Sequence, residues 1–238
     1  LITINRPEKR NAFTPDMLDR MLELLAEFEG NRQVVACVFR GAGEAFCAGA
    51  DIQFEYDATP AEYREFIAQI QRLTRVLRES RLFVIAAIDG PAMGGGAELA
   101  VACDYRVASP RSLIGFPEVT LGLTVTGGTT YLAPRLIGTS RMLELLLTGR
   151  PVQGEEARGM GLVDELDDDP VRVAVELGRR VGSVEPGLVA AIKSGLYRGQ
   201  QSLDAALLIE QEVILNRVRE PAARDGMAAF LESRRARR

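Results

Sequence analysis

Glu98 and Glu118 are the residues of this sequence best placed to act as a general acid and a general base. Glu98 comes three residues after Gly95. Gly95 belongs to a triple-glycine run that lies between a predicted buried strand and a predicted helix. Glu118 follows Pro117, whose fixed φ constrains the chain at the end of a predicted strand. Two carboxylates in one cleft have pKa values pushed apart, which provides one acid and one base. Two ordinary solvated glutamates are the alternative interpretation, since charged side chains are mostly exposed.

The glycine run at 94–96 suits a close approach of a ligand to the backbone. Glycine costs about 1 kcal/mol in a helix relative to alanine, so three of them at a helix start need a reason. The N–H groups of a helix's first turn have no internal partner, so they can hold a developing oxyanion. A tight turn or close helix packing is the alternative. The spacing matches neither a Walker phosphate loop nor a dinucleotide fingerprint.

Two further loops carry small residues that leave the backbone accessible. The stretch Phe46-Cys47-Ala48-Gly49-Ala50-Asp51 could supply a second N–H donor beside the glycine run. Taken alone, it is more simply interpreted as a plain loop. The stretch Thr126-Gly127-Gly128-Thr129 is typical of a helix start whose N–H groups could hold a water molecule. An ordinary glycine-containing helix start is an equally good interpretation.

The sequence contains no histidine, which excludes several kinds of active site. Ser-His-Asp triads, Cys-His pairs and histidine metal sites are ruled out, so any acid or base must be Glu, Asp, Tyr, Lys or Cys. The cysteines Cys37, Cys47 and Cys103 are odd in number and far apart, which argues against disulfides and a zinc site. We expect them to be small buried hydrophobes in a reducing, cytoplasmic compartment.

Charge and hydropathy argue against two kinds of partner. The formal net charge of −4 argues against nucleic acid. The basic end at 234–238 is more simply interpreted as a solvated helix end. No run reaches the ~18 apolar residues that a membrane-spanning helix needs, so we expect no membrane partner.

An α/β core is needed to position these residues. Short apolar strands, such as 34–39 and 83–88, alternate with amphipathic helices, two of which begin at the caps Thr14 and Thr59. The later part of the sequence is almost wholly helical, with helices predicted at 171–182, 186–197, 203–217 and 222–235. We therefore predict an α/β catalytic core over 1–184 and a helical region over 185–238.

Six stretches of the sequence form a distinctive ordered set. They are NRPEKRNA at 5–12, FCAGAD at 46–51, IAAIDGPAMGGGAEL at 85–99, GFPE at 115–118, LLTGR at 146–150 and GMAAFLE at 226–232. With these motifs the chain resembles the crotonase superfamily, the enoyl-CoA hydratase/isomerase group, over essentially its whole length. In this order the motifs are highly specific for the superfamily and much less specific for the reaction.

The resemblance implies a spiral core of ββα units and a helical C-terminal region that builds homo-trimers, often paired as hexamers. It implies an acyl-CoA thioester substrate, with coenzyme A as part of the substrate and neither a separate cofactor nor a metal. It also implies an oxyanion hole made by the N–H groups of Ala48 and Gly95. The residues it places against the CoA thioester are Ala48, Gly49, Ala50, Asp51 and Gly95.

Relatives that hydrate enoyl-CoA have both glutamates, as this chain does. By resemblance, Glu98 helps to activate water and Glu118 exchanges the proton at the α-carbon. Many hydratases carry Pro-Gly-Ala-Gly-Gly after the second glutamate, where an N–H places the attacking water. This chain has Val-Thr-Gly-Gly-Thr at 125–129 instead, which leaves Thr126 and Gly127 as the water-positioning candidates.

Three functions are consistent with these motifs. The first is an enoyl-CoA hydratase, a lyase that adds water across the 2,3 double bond of a 2-enoyl-CoA. The second is an enoyl-CoA isomerase, or a specialised lyase or hydrolase of the same superfamily, which the altered 125–129 stretch allows. The third is a non-catalytic CoA-binding protein, which the two intact glutamates make a weaker hypothesis. We expect residues 53–59 and the helix after them to shape the acyl pocket.

Overall fold

The computed structural model describes residues 1–184, 186–198 and 203–236, and the strands of this part form two sheets. The strands are β1 (Ile2–Ile4), β2 (Ala36–Gly41), β3 (Phe83–Ile88), β4 (Pro91–Met93), β5 (Tyr105–Ala108), β6 (Leu113–Gly115), β7 (Val152–Gln153) and β8 (Glu165–Leu166). Short 3-10 helices lie at Pro7–Lys9 and Pro117–Leu121. The α-helices are α1 (Pro15–Gly30), α2 (Ile52–Asp57), α3 (Pro60–Glu79), α4 (Gly95–Ala102), α5 (Thr129–Ile137), α6 (Thr139–Thr148), α7 (Gly154–Met160), α8 (Pro170–Val181), α9 (Pro186–Arg198), α10 (Leu203–Arg217) and α11 (Pro221–Arg235).

The larger sheet is parallel, with strand order β1-β2-β3-β5-β8. Its central strand β3 is a continuous apolar run in which Ile85 pairs with Val38 of β2 and Tyr105 of β5. Parallel sheets are covered on both faces, which explains why β3 does not alternate between apolar and polar residues. Helix α8 packs on one face of β3 through Ala174, and the main hydrophobic core lies on the other face.

Two successive ββα units build the part of the fold that carries the glutamates. In the first unit β3 is followed by β4 and α4, and in the second β5 is followed by β6 and the 3-10 helix at Pro117–Leu121. The first strands of the two units pair in the large sheet, and the second strands, β4 and β6, pair in the small one. This repeated pairing places Glu98 on α4 and Glu118 after β6 at corresponding ends of neighbouring units.

The predicted helix caps are confirmed. The Thr14 hydroxyl accepts a hydrogen bond from the Met17 N–H and begins α1. Thr59 and Glu62 form the full capping box at the start of α3. Each cap satisfies N–H groups that have no partner inside the helix, which is why the sequence alone predicted where these helices begin.

The C-terminal helices are present as predicted and pack against the core. Lys193 of α9 is only 7% exposed, and its ammonium donates to the carbonyls of Leu77 and Leu82. The same ammonium lies 2.7 Å from the Asp104 carboxylate, which also accepts from the Tyr197 hydroxyl. This buried cluster fixes α9 to the end of α3 and the start of β5. The division of the chain at 184/185 stays a prediction, and Glu185 lies outside the described residues.

Three local features differ from the sequence prediction. The alternation of strands and helices did not indicate the short helix α2 at residues 52–57 or the strand at 91–93. Within the apolar stretch at 162–166, only Glu165–Leu166 pair as a strand. The last two residues of the basic end, Arg237 and Arg238, lie outside the described residues. Within the described ranges, no helix combines the length and apolarity needed to cross a bilayer.

Candidate active site

A cavity of about 80 Å³ opens where the two ββα units meet the helices α2, α3 and α10. Three carboxylates line it: those of Glu55, Glu98 and Glu118. The other lining residues are Ala48, Gly49, Ala50, Ile52, Tyr63, Ile67, Ile70, Gly94, Gly95, Pro117, Leu121, Leu123, Thr124, Thr126 and Ile214. The wall is therefore largely apolar, with a small number of polar groups directed into it, as is usual for a small-molecule site.

The triple glycine at the start of α4 is required by close contacts. Gly94 has φ +52°, a left-handed conformation that disfavours a side chain. A Cβ atom on Gly96 would lie 2.2 Å from the Cys47 carbonyl oxygen. The glycines thus let α4 begin directly against the 46–51 loop, and the N–H of Gly95 lies in the first turn, where it has no acceptor inside the helix.

The available N–H group beside Gly95 is that of Ala50, and not that of Ala48, which the resemblance implied. The Ala48 N–H donates to the Arg10 carbonyl at 2.9 Å, so it is already used. The Phe13 N–H donates to the Gly49 carbonyl, and the Phe13 carbonyl accepts from the Asp51 N–H, so Phe13 bonds on both sides of Ala50. The Ala50 N–H itself has no acceptor in the described part of the chain. A Cβ atom on Gly95 would lie 3.6 Å from the Ala50 nitrogen, so the two amides are neighbours.

Glu98 is held in place by three hydrogen bonds. Its side chain is buried, and its Oε1 accepts from the Thr126 N–H at 2.8 Å. Its Oε2 accepts from the Gly127 N–H at 2.9 Å and from the Thr126 hydroxyl at 3.1 Å. Burial raises the pKa of Glu98, and these hydrogen bonds oppose the increase by stabilising the carboxylate.

Thr126 and Gly127 therefore contact the candidate base itself. Their N–H groups were the predicted water-positioning groups, and in the structure both donate to Glu98. A Cβ atom on Gly127 would lie 2.9 Å from Glu98 Oε2, which explains why glycine stands there. Their observed role is to orient Glu98, and their role toward water stays a prediction.

Glu118 faces the same space from the 3-10 helix after β6. Its Oε1 is close to the glycine run, because a Cβ atom on Gly94 would lie 3.2 Å from it. Its Oε2 is buried and has no hydrogen-bond partner among the described residues. Burial raises the pKa of Glu118 well above its ordinary value, and the negative charge of Glu98 adds to the increase.

The environments of the two glutamates assign them different protonation states. Three donors stabilise the ionised form of Glu98, whereas Glu118 Oε2 has none. When two coupled carboxyl groups share a cleft, the first proton leaves the group whose anion is better stabilised. The pair with one proton is therefore ionised at Glu98 and neutral at Glu118, which provides one base and one acid.

Asp51, predicted to contact the CoA thioester, is not among the residues that line the cavity. Its carboxylate accepts from the Gln53 N–H and so caps α2, and it pairs with Arg6 at 2.6 Å. Burial opposes ionisation, but the hydrogen bond and charge of Arg6 lower the pKa of Asp51. The observed contacts of this side chain hold α2 in place, and a contact with CoA stays a prediction.

Glu55 is a site residue that the sequence analysis missed. It lies on α2 and is only 7% exposed, and it accepts a hydrogen bond from the buried Tyr63 hydroxyl at 3.2 Å. Burial raises the pKa of Glu55 to about 7, helped by the charges of Glu98 and Asp51. No motif marks it. The one signal in the sequence was its position within residues 53–59, which were expected to shape the pocket.

The cysteines contribute no nucleophile to the site. All three are buried and unpaired, as predicted. Burial raises the pKa of Cys37 to about 11 and that of Cys47 to about 12, so neither forms a thiolate readily.

Comparisons with known proteins identify the family of this chain. The sequence model of the enoyl-CoA hydratase/isomerase family matches residues 1–237. The short-chain-enoyl-CoA hydratase of Clostridium acetobutylicum is 35% identical over 239 residues, which cover 99% of this chain and 92% of that protein. The crotonyl-CoA hydratase of Syntrophomonas wolfei is 33% identical over 240 residues, with the same coverage of 99% and 92%.

Solved structures of enoyl-CoA hydratases share the fold of this chain. The crystal structure of an enoyl-CoA hydratase from Bacillus anthracis superposes with a TM-score of 0.81 at 30% identity and covers 97% of this chain and 91% of that one. The mixed α/β architecture with its parallel sheet is therefore the crotonase fold, as the motifs predicted. On sequence and on structure, this chain belongs to the enoyl-CoA hydratase/isomerase family of the crotonase superfamily.

Proposed function

We propose that this protein is an enoyl-CoA hydratase that adds water across the 2,3 double bond of a 2-enoyl-CoA thioester. One observation carries the proposal: two buried glutamates with different hydrogen bonding meet in a single cavity, beside two N–H groups without a partner in the described chain. The names of the two hydratase relatives support the same class of reaction.

The N–H groups of Ala50 and Gly95 are proposed to hold the thioester oxygen. Addition of water to a 2-enoyl thioester moves negative charge onto that oxygen as an enolate forms. Removing one such donor from an oxyanion hole costs roughly 3–4 kcal/mol of transition-state stabilisation. Both residues line the cavity, and the Gly95 N–H lies at the start of α4, where the helix dipole adds favourable positive potential.

The two glutamates are proposed to move the two protons of the reaction. Glu98 takes a proton from water as the water oxygen bonds to C3, and Glu118 gives its proton to C2. The product then carries the added hydrogen and hydroxyl, and a proton passing from Glu98 to Glu118 restores the starting state. This assignment follows from the three hydrogen bonds to Glu98 and the unpartnered oxygen of Glu118.

The proposed chemistry requires neither a metal nor a resident cofactor. Main-chain N–H groups replace a Lewis acid at the oxygen, and carboxyl groups carry the protons. Coenzyme A enters as part of the substrate. A cytoplasmic location is also proposed, because three unpaired buried thiols fit a reducing compartment.

The test is the loss of the absorbance of the conjugated thioester when the protein is incubated with crotonyl-CoA and longer 2-enoyl-CoA substrates. We expect turnover by the wild type and a loss of about 10²–10⁴-fold in Glu98→Gln and in Glu118→Gln. The exposed Glu65→Gln is the matched control and retains full activity. Absence of hydration with every chain length would refute the proposal.

A specific observation favours isomerisation as the second candidate. The N–H groups of Thr126 and Gly127 donate to Glu98, which leaves them unable to hold an attacking water at the same time. An isomerase would exchange the α-proton of the thioester with deuterium oxide but give no hydrated product. Proton NMR of the reaction in deuterium oxide distinguishes the two activities. A non-catalytic CoA-binding protein would show neither.

A homo-trimer, or a hexamer of two trimers, is proposed as the assembly. Support comes from large apolar side chains left exposed on this chain: Ile192 and Leu196 of α9, and Leu143 and Leu147 of α6 are 54%, 66%, 54% and 67% exposed. Light scattering after size-exclusion chromatography should give three or six times the chain mass. A monomer over the working concentration range would contradict this.

A further inference from the structure

Glu55 and Tyr63 form a polar pair in a wall of the cavity that is otherwise apolar. Ile52, Ile67 and Leu123 line the same cavity, and no lysine or arginine of the described chain does. The Tyr63 hydroxyl gives Glu55 Oε1 one hydrogen bond. Within the described ranges, Glu55 Oε2 receives none, and it is not one of the fully buried unpartnered oxygens, so it is open to the cavity. A largely buried carboxyl group that presents one unpaired oxygen to an apolar pocket is unfavourable there and requires an explanation.

The fold does not supply that explanation. The start of α2 is capped by Asp51, so Glu55 is not needed there. No salt bridge of the described chain includes Glu55. The proposed hydration is complete with Glu98 and Glu118, which leaves Glu55 without a part in the proton transfers. A leucine would fill the same position without the cost of burying a carboxyl group.

We propose that Glu55 and Tyr63 form a subsite for a hydroxyl group on the acyl chain, so that the preferred substrate is a hydroxylated 2-enoyl-CoA. This inference rests on the proposed function, because it places the acyl chain in the cavity beside Glu98 and Glu118. A hydroxyl group is the best match, since it can donate to the carboxylate form of Glu55 and accept from the carboxylic acid form.

Other acyl groups fit the pair less well. An unsubstituted alkyl chain would cover Glu55 and leave its second oxygen without a partner or water. A carboxylate would be repelled by the ionised Glu98 and would find no cation among the residues that line the cavity. An ammonium group would lose its hydration in a wall of isoleucine and leucine, with only carboxyl groups to replace the water.

Binding of saturated thioesters tests the subsite separately from the reaction, because they have no double bond to hydrate. Calorimetry should compare hexanoyl-CoA with its 4-, 5- and 6-hydroxy derivatives on the full-length protein. We expect the wild type to bind one hydroxy isomer about tenfold more tightly than hexanoyl-CoA. Glu55→Leu should abolish or reverse this preference, and Tyr63→Phe should weaken it.

The matched variant Glu55→Gln keeps size and hydrogen bonding and should retain part of the preference, which separates recognition from a packing defect. Circular dichroism checks that each variant is folded. Equal affinities for all four thioesters in the wild type, or an unchanged preference in Glu55→Leu, would overturn the inference. Tighter binding of 6-aminohexanoyl-CoA than of any hydroxy derivative would also overturn it. Loss of the proposed function would appear differently, as a preserved binding preference without hydration of any enoyl-CoA.

Discussion

The clearest quantitative prediction concerns the effect of Glu55 on stability as pH changes. In the folded protein the pKa of Glu55 is about 7, against an ordinary value of 4.5. The folded state therefore keeps a proton that the unfolded chain has already released between these two pH values. Because the folded state binds more protons, the free energy of unfolding falls as pH rises through this window. The gap corresponds to about 3 kcal/mol at 1.36 kcal/mol for each pH unit.

Glu55→Gln isolates this contribution. Glutamine has the shape of the protonated glutamate and can still accept from Tyr63, but it stays neutral at every pH. We expect the variant and the wild type to be about equally stable near pH 4.5. At pH 8 the variant should be more stable by about 3 kcal/mol, with the difference growing between pH 4.5 and pH 7.

Urea unfolding followed by circular dichroism measures this difference at fixed protein concentration, which keeps any effect of association constant. Glu65→Gln makes the same chemical change at an exposed position and serves as the control. The charges of Glu98 and Asp51 also act on Glu55, but both remain in the variant. A stability difference that does not change with pH, or that shrinks as pH rises, would refute the burial argument.

Three further predictions follow from contacts of the site and the core. Gly127→Ala should lower kcat for hydration at least tenfold with an unchanged circular dichroism spectrum, because its Cβ would lie 2.9 Å from Glu98 Oε2. The pH profile of kcat/KM should be bell-shaped, because activity is lost at low pH as Glu98 is protonated and at high pH as Glu118 ionises. The residual activity of Glu118→Gln should lack the loss at high pH. Lys193→Ala should lower the free energy of unfolding in urea by about 3–5 kcal/mol, because Asp104 would stay buried without its cation; a loss below 1 kcal/mol would show that the cluster is not stabilising.

Features encoded by local chemistry could be predicted from the sequence. Thr14 and Thr59 mark helix starts because their hydroxyls satisfy nearby N–H groups of the same segment. The triple glycine and the two glutamates were singled out because glycines at a helix start expose N–H groups and because paired carboxylates can provide an acid and a base. The ββα arrangement and the family followed from the same motifs.

The tertiary structure decided which groups of those motifs are available. Ala48 and Ala50 lie two residues apart in a loop of small residues, and the sequence cannot tell which N–H is free. The answer depends on Arg10 and Phe13, whose carbonyls engage the Ala48 and Asp51 amides from a distant segment. Likewise, the N–H groups of Thr126 and Gly127 were expected to position water. They donate to Glu98 because α4 packs against the 125–129 stretch, which the sequence alone does not show.

Glu55 shows the same limit most clearly. In sequence it is one acidic residue in a short, mostly polar stretch, and such residues are usually exposed. Its burial arises because α2 packs against α3, which places Tyr63 and the apolar face of α3 over Glu55. Local sequence determined the residue types and the helix starts, since those depend on neighbours in the chain. Burial, free donors and shared cavities depend on segments far apart in sequence, so only the folded chain determined them.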